Sequence, residues 1–125
     1  MELETQAIGQ VDVVIVRGTV MVTDVPMLEA ALQRYTTVGR YRCLVDLSEC
    51  TYLGSSGMSL LISFANSCRR WQLGDVLLIA PHIAVRSLLE LAGLISEERS
   101  FFRLIEDVDE GLAYFEAFSK DISEF

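Results

Sequence analysis

At 125 residues the chain suits one domain, and 51% hydrophobic with 22% charged residues is the balance of a packed globule rather than a disordered segment. Eighteen acidic side chains against ten basic ones give a formal net charge of -8, which argues against nucleic acid or an anionic membrane as partner, since Lys and Arg hold both. No apolar run approaches the roughly 20 residues a bilayer requires, and the opening "MELETQAIGQ" lacks the basic start and apolar core of a signal peptide, so a cytoplasmic location is expected.

The segment "VDVVIVRGTVMV" (11–22) is rich in β-branched residues and broken by Gly18, which predicts a strand, a turn and a strand continuation. "TDVPMLEAALQRYTTV" predicts a helix capped by Thr23 or Asp24, with Pro26 in the first turn and Leu28, Ala31, Leu32 and Tyr35 on one stripe. Gly39 ends it. "YRCLVDLS" (41–48) has the nearly continuous apolar middle of a strand covered on both faces.

"SSGMSLLISFANSCRRWQ" predicts the next helix, with Leu61, Phe64, Ala65 and Cys68 on its buried stripe and Gly74 stopping it. Arg69 and Arg70 lie near its end, where cations suit the macrodipole. "DVLLIA" (75–80) reads as a short strand ended by Pro81, and "HIAVRSLLELAGL" as a helix closed by Gly93. "FFRLIE" and "DVDEGLAYFEAFSKDI" supply a last strand and a last helix with acids in its first turn. Strand and helix alternate, which points to an α/β fold with a mostly parallel central sheet of four to five strands and about four helices. The fifth strand of that count is an additional one at the N-terminus. No repeat, linker or low-complexity tract divides the chain, so 1–125 reads as a single domain.

Enzyme signatures are missing. His82 is the only histidine and sits at a strand-to-helix junction, where a turn or capping role outweighs catalysis. Without a second histidine there is no Ser–His–Asp or Cys–His set, and zinc lacks its usual nitrogen ligands. Neither a GxxxxGK[ST] phosphate loop nor a GxGxxG turn occurs. Cys43, Cys50 and Cys68 have no CxxC spacing and read as small buried hydrophobes. No catalytic residue, metal or cofactor is expected.

"LGSSG" (53–57) follows the strand "CLVDLS" after a short connection and opens a helix, at the sheet edge where open α/β folds meet their ligands and partners. Serine is a good helix N-cap, and glycine lets the backbone turn. A phosphate on such a serine would add about -1.5 to -2 charges at a helix N-terminus, where free N–H groups and the dipole favour an anion.

In sequence, "RCLVDLSECTYLGSSGMSLLISFANSCRRWQLGDVLLIAP" followed by "VRSLLELAGL" resembles the STAS family, the anti-sigma factor antagonists. Asp46, Leu47 and Ser48 match its strand-ending motif, Ser55, Ser56 and Gly57 its Ser-Ser-Gly, and Leu89, Gly93 and Leu94 its third helix ending; the match spans roughly 8–118. The resemblance implies a STAS-like fold and an anti-anti-sigma protein that performs no catalysis. Its implied partner is an anti-sigma factor that is also a serine/threonine kinase of the histidine-kinase-like ATPase type. By resemblance, Ser56 is the phosphorylated serine, with Ser55 as second choice. Phosphorylation ends binding, and a serine phosphatase restores it. Gly54, Ser55, Ser56, Gly57 and Met58 would form the docking surface, supported by the strand end at Asp46 and Ser48. Gly54 departs from the family, whose motif has an aspartate there. The loss frees the loop and favours an alternative, a phosphorylation-independent interaction module in a signalling or transporter-associated assembly.

Overall fold

The β-branched N-terminal half forms two long strands before any helix intervenes. In a computed structural model, which describes residues 1–71, 73–80 and 82–123, β1 (Glu2–Ile8) and β2 (Val11–Val20) make an antiparallel hairpin. Gly9, at φ +61, supplies the left-handed conformation that its two-residue turn requires. The chain then passes through a short 3-10 turn (Val22–Asp24) into helix α1 (Val25–Thr37). Next come β3 (Arg42–Asp46), β4 (Cys50–Leu53) and α2 (Ser55–Arg69), followed by β5 (Asp75–Ile79) and α3 (Ile83–Leu91). β6 (Arg103–Ile105) and α4 (Val108–Ser123) complete the described chain.

The strands form one six-stranded sheet in the order β1-β2-β3-β5-β6, with β4 also paired to β2. Every pairing except the β1–β2 hairpin is parallel. Side chains alternate across it as a pleat demands. Cys43, Val45, Val76 and Leu78 point into the core shared with α1, α2 and α3, while Leu44, Leu77 and Ile79 meet the smaller core under α4. Coverage on both faces is why these strands read as continuous apolar runs.

Three expectations need correction. Gly18 produces no turn: at φ +84 it sits in a strand that continues to Val20, with the register shift of a bulge at Gly18–Thr19. Residues 50–53 are a strand rather than a plain connection. Helix α2 ends at Arg69, short of the Gln72 expected; Gln72 itself, like Pro81, lies outside the described residues. The buried stripe Leu61, Phe64, Ala65 and Cys68 is as expected, and so are Leu28, Ala31 and Leu32 on α1, with Tyr35 half-buried. Gly39 (φ +79) and Gly93 (φ +75) close α1 and α3, the latter with the Leu94 N–H donating to Leu89 O at 2.9 Å.

Candidate functional site

Asp46 ends β3 with its Oδ1 accepting the Ser48 N–H at 2.9 Å, a side-chain turn that fixes the step of the chain out of β3. Leu47 fills the core, and its N–H donates to Ile79 O at 2.7 Å. This detour lets the chain return to β2 further along: Glu49 O accepts the Gly18 N–H at 3.0 Å, and β4 then pairs Tyr52 with Thr19 and Leu53 with Val20. The Gly54 N–H donates to Val20 O at 3.0 Å, so β4 delivers the chain to the start of α2 as a fixed ladder rather than a free loop.

Gly54 occupies the N-cap of α2 with ordinary extended angles, φ -71 and ψ 165. Its carbonyl accepts the Met58 N–H at 3.0 Å, but no side chain caps the helix. The missing family aspartate therefore corresponds to an absent N-cap oxygen. Ser55 is exposed, Ser56 half-buried and Gly57 buried. A Cβ on Gly57 would lie 2.9 Å from both Leu53 Cδ1 and Val20 Cγ1. Glycine here lets α2 approach the β2–β4 pair closely, which presents the preceding serines at the sheet's carboxyl edge. Met58 is half-buried against the main core. Of the five expected contact residues, Ser55, Ser56 and Gly54 thus offer surface, while Gly57 and much of Met58 serve packing.

Ser56 also borders a groove of about 440 Å³ between α1 and α2. Leu32 and Phe64 form its floor, Glu29 and Gln33 stand on α1, and Ser59 and Ser63 continue along α2. Three large apolar side chains flank the helix start without cover: Met21 (49% exposed), Val22 (68%) and Tyr52 (43%). Local sequence pattern does not mark them. Val22 and Met21 looked like strand residues, and Tyr52 lay in a presumed connection. Their only sequence signal is that they immediately follow β2 or precede Gly54.

The remaining chemistry-bearing residues lie away from this edge. His82 takes the N-cap of α3, yet only its backbone acts, its carbonyl accepting the Arg86 N–H at 3.0 Å. All three thiols are buried and free. Burial pushes Cys43 well up, with Cys68 and Asp12 adding to it, and pushes Cys68 up to about 12, with Asp75 adding and Arg69 opposing. Cys50 is raised by burial too, partly offset by a backbone hydrogen bond with Tyr52. Thiols held protonated are poor nucleophiles and poor metal ligands. Among the described residues no helix is long and apolar enough to cross a membrane.

A family model for the STAS domain matches residues 2–111. BtrV of Bordetella bronchiseptica, provisionally named an anti-sigma factor antagonist, is 29% identical over 98 residues, covering 77% of this chain and 82% of its own. In structure the fold resembles an anti-sigma factor antagonist from Mycobacterium paratuberculosis, with a TM-score of 0.79, 23% identity and coverage of 92% and 93%. It also resembles the phosphorylated form of the Bacillus cell fate determinant SpoIIAA, at TM-score 0.62, 16% identity and coverage of 78% and 94%.

Proposed function

Because the chain belongs to the STAS domain family, we propose that it is a cytoplasmic anti-sigma factor antagonist, switched by phosphorylation at Ser56. Its partner is an anti-sigma factor that is also a serine/threonine kinase of the histidine-kinase-like ATPase type. Unmodified, the antagonist occupies that partner and so frees the sigma factor for transcription. Phosphorylated, it lets go, and a serine phosphatase resets it. The antagonist performs no catalysis; nucleotide belongs to the kinase.

One observation carries the reading. The Ser56 hydroxyl sits in the first turn of an uncapped helix at the sheet's carboxyl edge, between a groove and the uncovered Met21, Val22 and Tyr52. A phosphate there is stabilised by the helix start, so the fold tolerates it. The same charge falls beside an apolar rim, where burying it against a partner costs several kcal/mol, on the order of 3–5. The names of BtrV and the Mycobacterium protein support the antagonist role, and the phosphorylated SpoIIAA supports the modification.

Gly54 keeps a second reading in view. An N-cap without a side chain is what a module released from phospho-control would tolerate, bound constitutively in a signalling or transporter-associated complex. Affinity capture from the native cell, with mass spectrometry of the captured protein and of the Ser55–Ser56 peptide, separates the two. A kinase-type ATPase together with phosphate on Ser56 supports the switch. Permease or scaffold proteins with unmodified serines support the module.

A further inference from the structure

The edge of the sheet opposite Ser56 carries a second surface of different chemistry. Segment 34–42, "RYTTVGRYR", holds three arginines and no acid; segment 69–74, "RRWQLG", holds two and no acid. The fold brings them together where β3 and β5 begin: Arg42 pairs in register with Asp75, and the Asp75 N–H donates to Tyr41 O at 2.9 Å. Trp71, the only tryptophan, stacks on Tyr41 with centroids 5.0 Å apart and planes 9° from parallel, yet it remains 55% exposed. Val38 beside them is 69% exposed and borders a depression of about 380 Å³ with Arg40, Arg42 and Leu73.

Helix-dipole complementarity accounts for a basic residue in the last turn of α1 or α2, but not for an uncovered tryptophan held in place. The loop that presents it is fastened from several sides. The Trp71 N–H donates to Cys68 O at 3.2 Å, the Gly74 N–H to Trp71 O at 3.0 Å, and Arg42 Nε to Leu73 O at 3.1 Å. A Cβ on Gly74 would lie 2.0 Å from Cys68 O, and Leu73 sits at φ +70, which a branched side chain rarely adopts. A large exposed aromatic held beside a Leu73 in a left-handed conformation is a reason to ask what it meets.

We propose that this face, centred on Trp71, Tyr41 and Val38 and framed by Arg70, Arg42 and Arg34, docks an acidic segment of another protein. Trp, Tyr and Arg are the residues that dominate interface energies, and the two basic segments supply the charge complement for acids. A second copy fits poorly, because a two-fold contact would set arginines against arginines. DNA or RNA fits poorly as well: a long polyanion would run beyond this face onto the rest of a chain whose net charge is -8, whereas a short acidic segment stays on the basic face. Arg40 and Arg69 are paired with Asp12 and Asp75, so Arg34, Arg42 and Arg70 supply the charge that meets the acids.

Trp71 provides the readout. The full chain is titrated with a glutamate-rich peptide, a matched lysine-rich peptide and a short DNA duplex, following Trp71 fluorescence at two salt concentrations. The expected result is a saturable change with the acidic peptide alone, weakened by salt. The double variant Val38→Asp/Arg70→Glu keeps the reporter and alters only exposed positions, and it should bind about tenfold or more weakly. Trp71→Ala, followed by calorimetry, should lose binding to a similar degree while melting as the parent does. No saturable change, equal affinity in the variants, or tighter binding of the duplex than of the acidic peptide would each overturn the proposal.

Discussion

Ser56 and the two glycines beside it divide the work of the site between chemistry and packing. Gly57 is the packing residue: Leu53 and Val20 are both buried, so neither can swing away from an added methyl. Gly57→Ala should therefore cost about 1–2 kcal/mol, the overpacking term partly offset by alanine's better helix propensity. A denaturant melt checks it, with a lower midpoint at unchanged slope expected. Gly54 is different. Its φ of -71 is open to any residue, and a Cβ there would lie 3.1 Å from Val20 O, a contact that needs only a few tenths of an ångström of relief. Gly54→Asp supplies the absent N-cap oxygen and places a negative charge at the helix start, so it should leave stability within about 0.5 kcal/mol of the parent. It should also raise partner affinity or the rate of Ser56 phosphorylation by about 1 kcal/mol equivalent, read by calorimetry and a kinase assay. A stable variant with both quantities unchanged would mean the missing carboxylate is not what sets this chain apart.

At the scale of elements, the β3–β4 detour is what aims α2. Asp46 holds the turn, and β4 then locks Gly54 to Val20 O. Asp46→Ala removes one acceptor and leaves the Ser48 N–H unpartnered, at a cost of about 1 kcal/mol. Amide exchange should quicken at Ser48 and Cys50 and along β4 more than in β3 or β5. Uniform quickening would argue instead that the turn is merely part of the global fold. The α2 stripe was legible in the sequence because 15 residues sample an apolar period several times over. β4 was not: four residues alternating buried, exposed, exposed, buried carry no period. Its existence depends on β2 extending past Asp46's partner Ile15, a long-range fact that no local pattern contains. The same blindness hid Tyr52, Met21 and Val22 from the site. Local residue types pick out Ser55 and Ser56 as candidates, but the apolar rim emerges only when β2 and β4 lie side by side. Gly18 misled for a related reason, since positive φ serves a bulge as readily as a turn.

For the whole molecule, the three buried thiols give the fold an alkaline limit. Each has a folded-state pKa above the ordinary thiol value of 9.0, so unfolding lets it ionise. The stability this contributes is fully present below that ordinary value of 9.0 and is lost as pH rises toward the folded value, about 12 for Cys68. Thermal melts should fall across that window by about 1.4 kcal/mol per pH unit for each thiol that ionises only on unfolding. Cys68→Ala should flatten the slope while lowering stability near neutral pH through its cavity. Native protein should meanwhile resist iodoacetamide. The molecule's charge is as unevenly placed as its apolar surface, with arginines gathered around Trp71 at the edge opposite Ser56. On the two proposals made above, one partner would be gated by phosphate at one edge while another stays attached at the other.

The most direct measurement of the switch is calorimetric titration of the captured anti-sigma kinase with the unmodified chain, the Ser56-phosphorylated chain and Ser56→Ala. Unmodified protein and Ser56→Ala should bind alike, and the phosphorylated form should bind at least about a hundredfold more weakly, as expected for an unpaired charge on a docking surface. Equal affinity of the phosphorylated and unmodified chains would contradict the account.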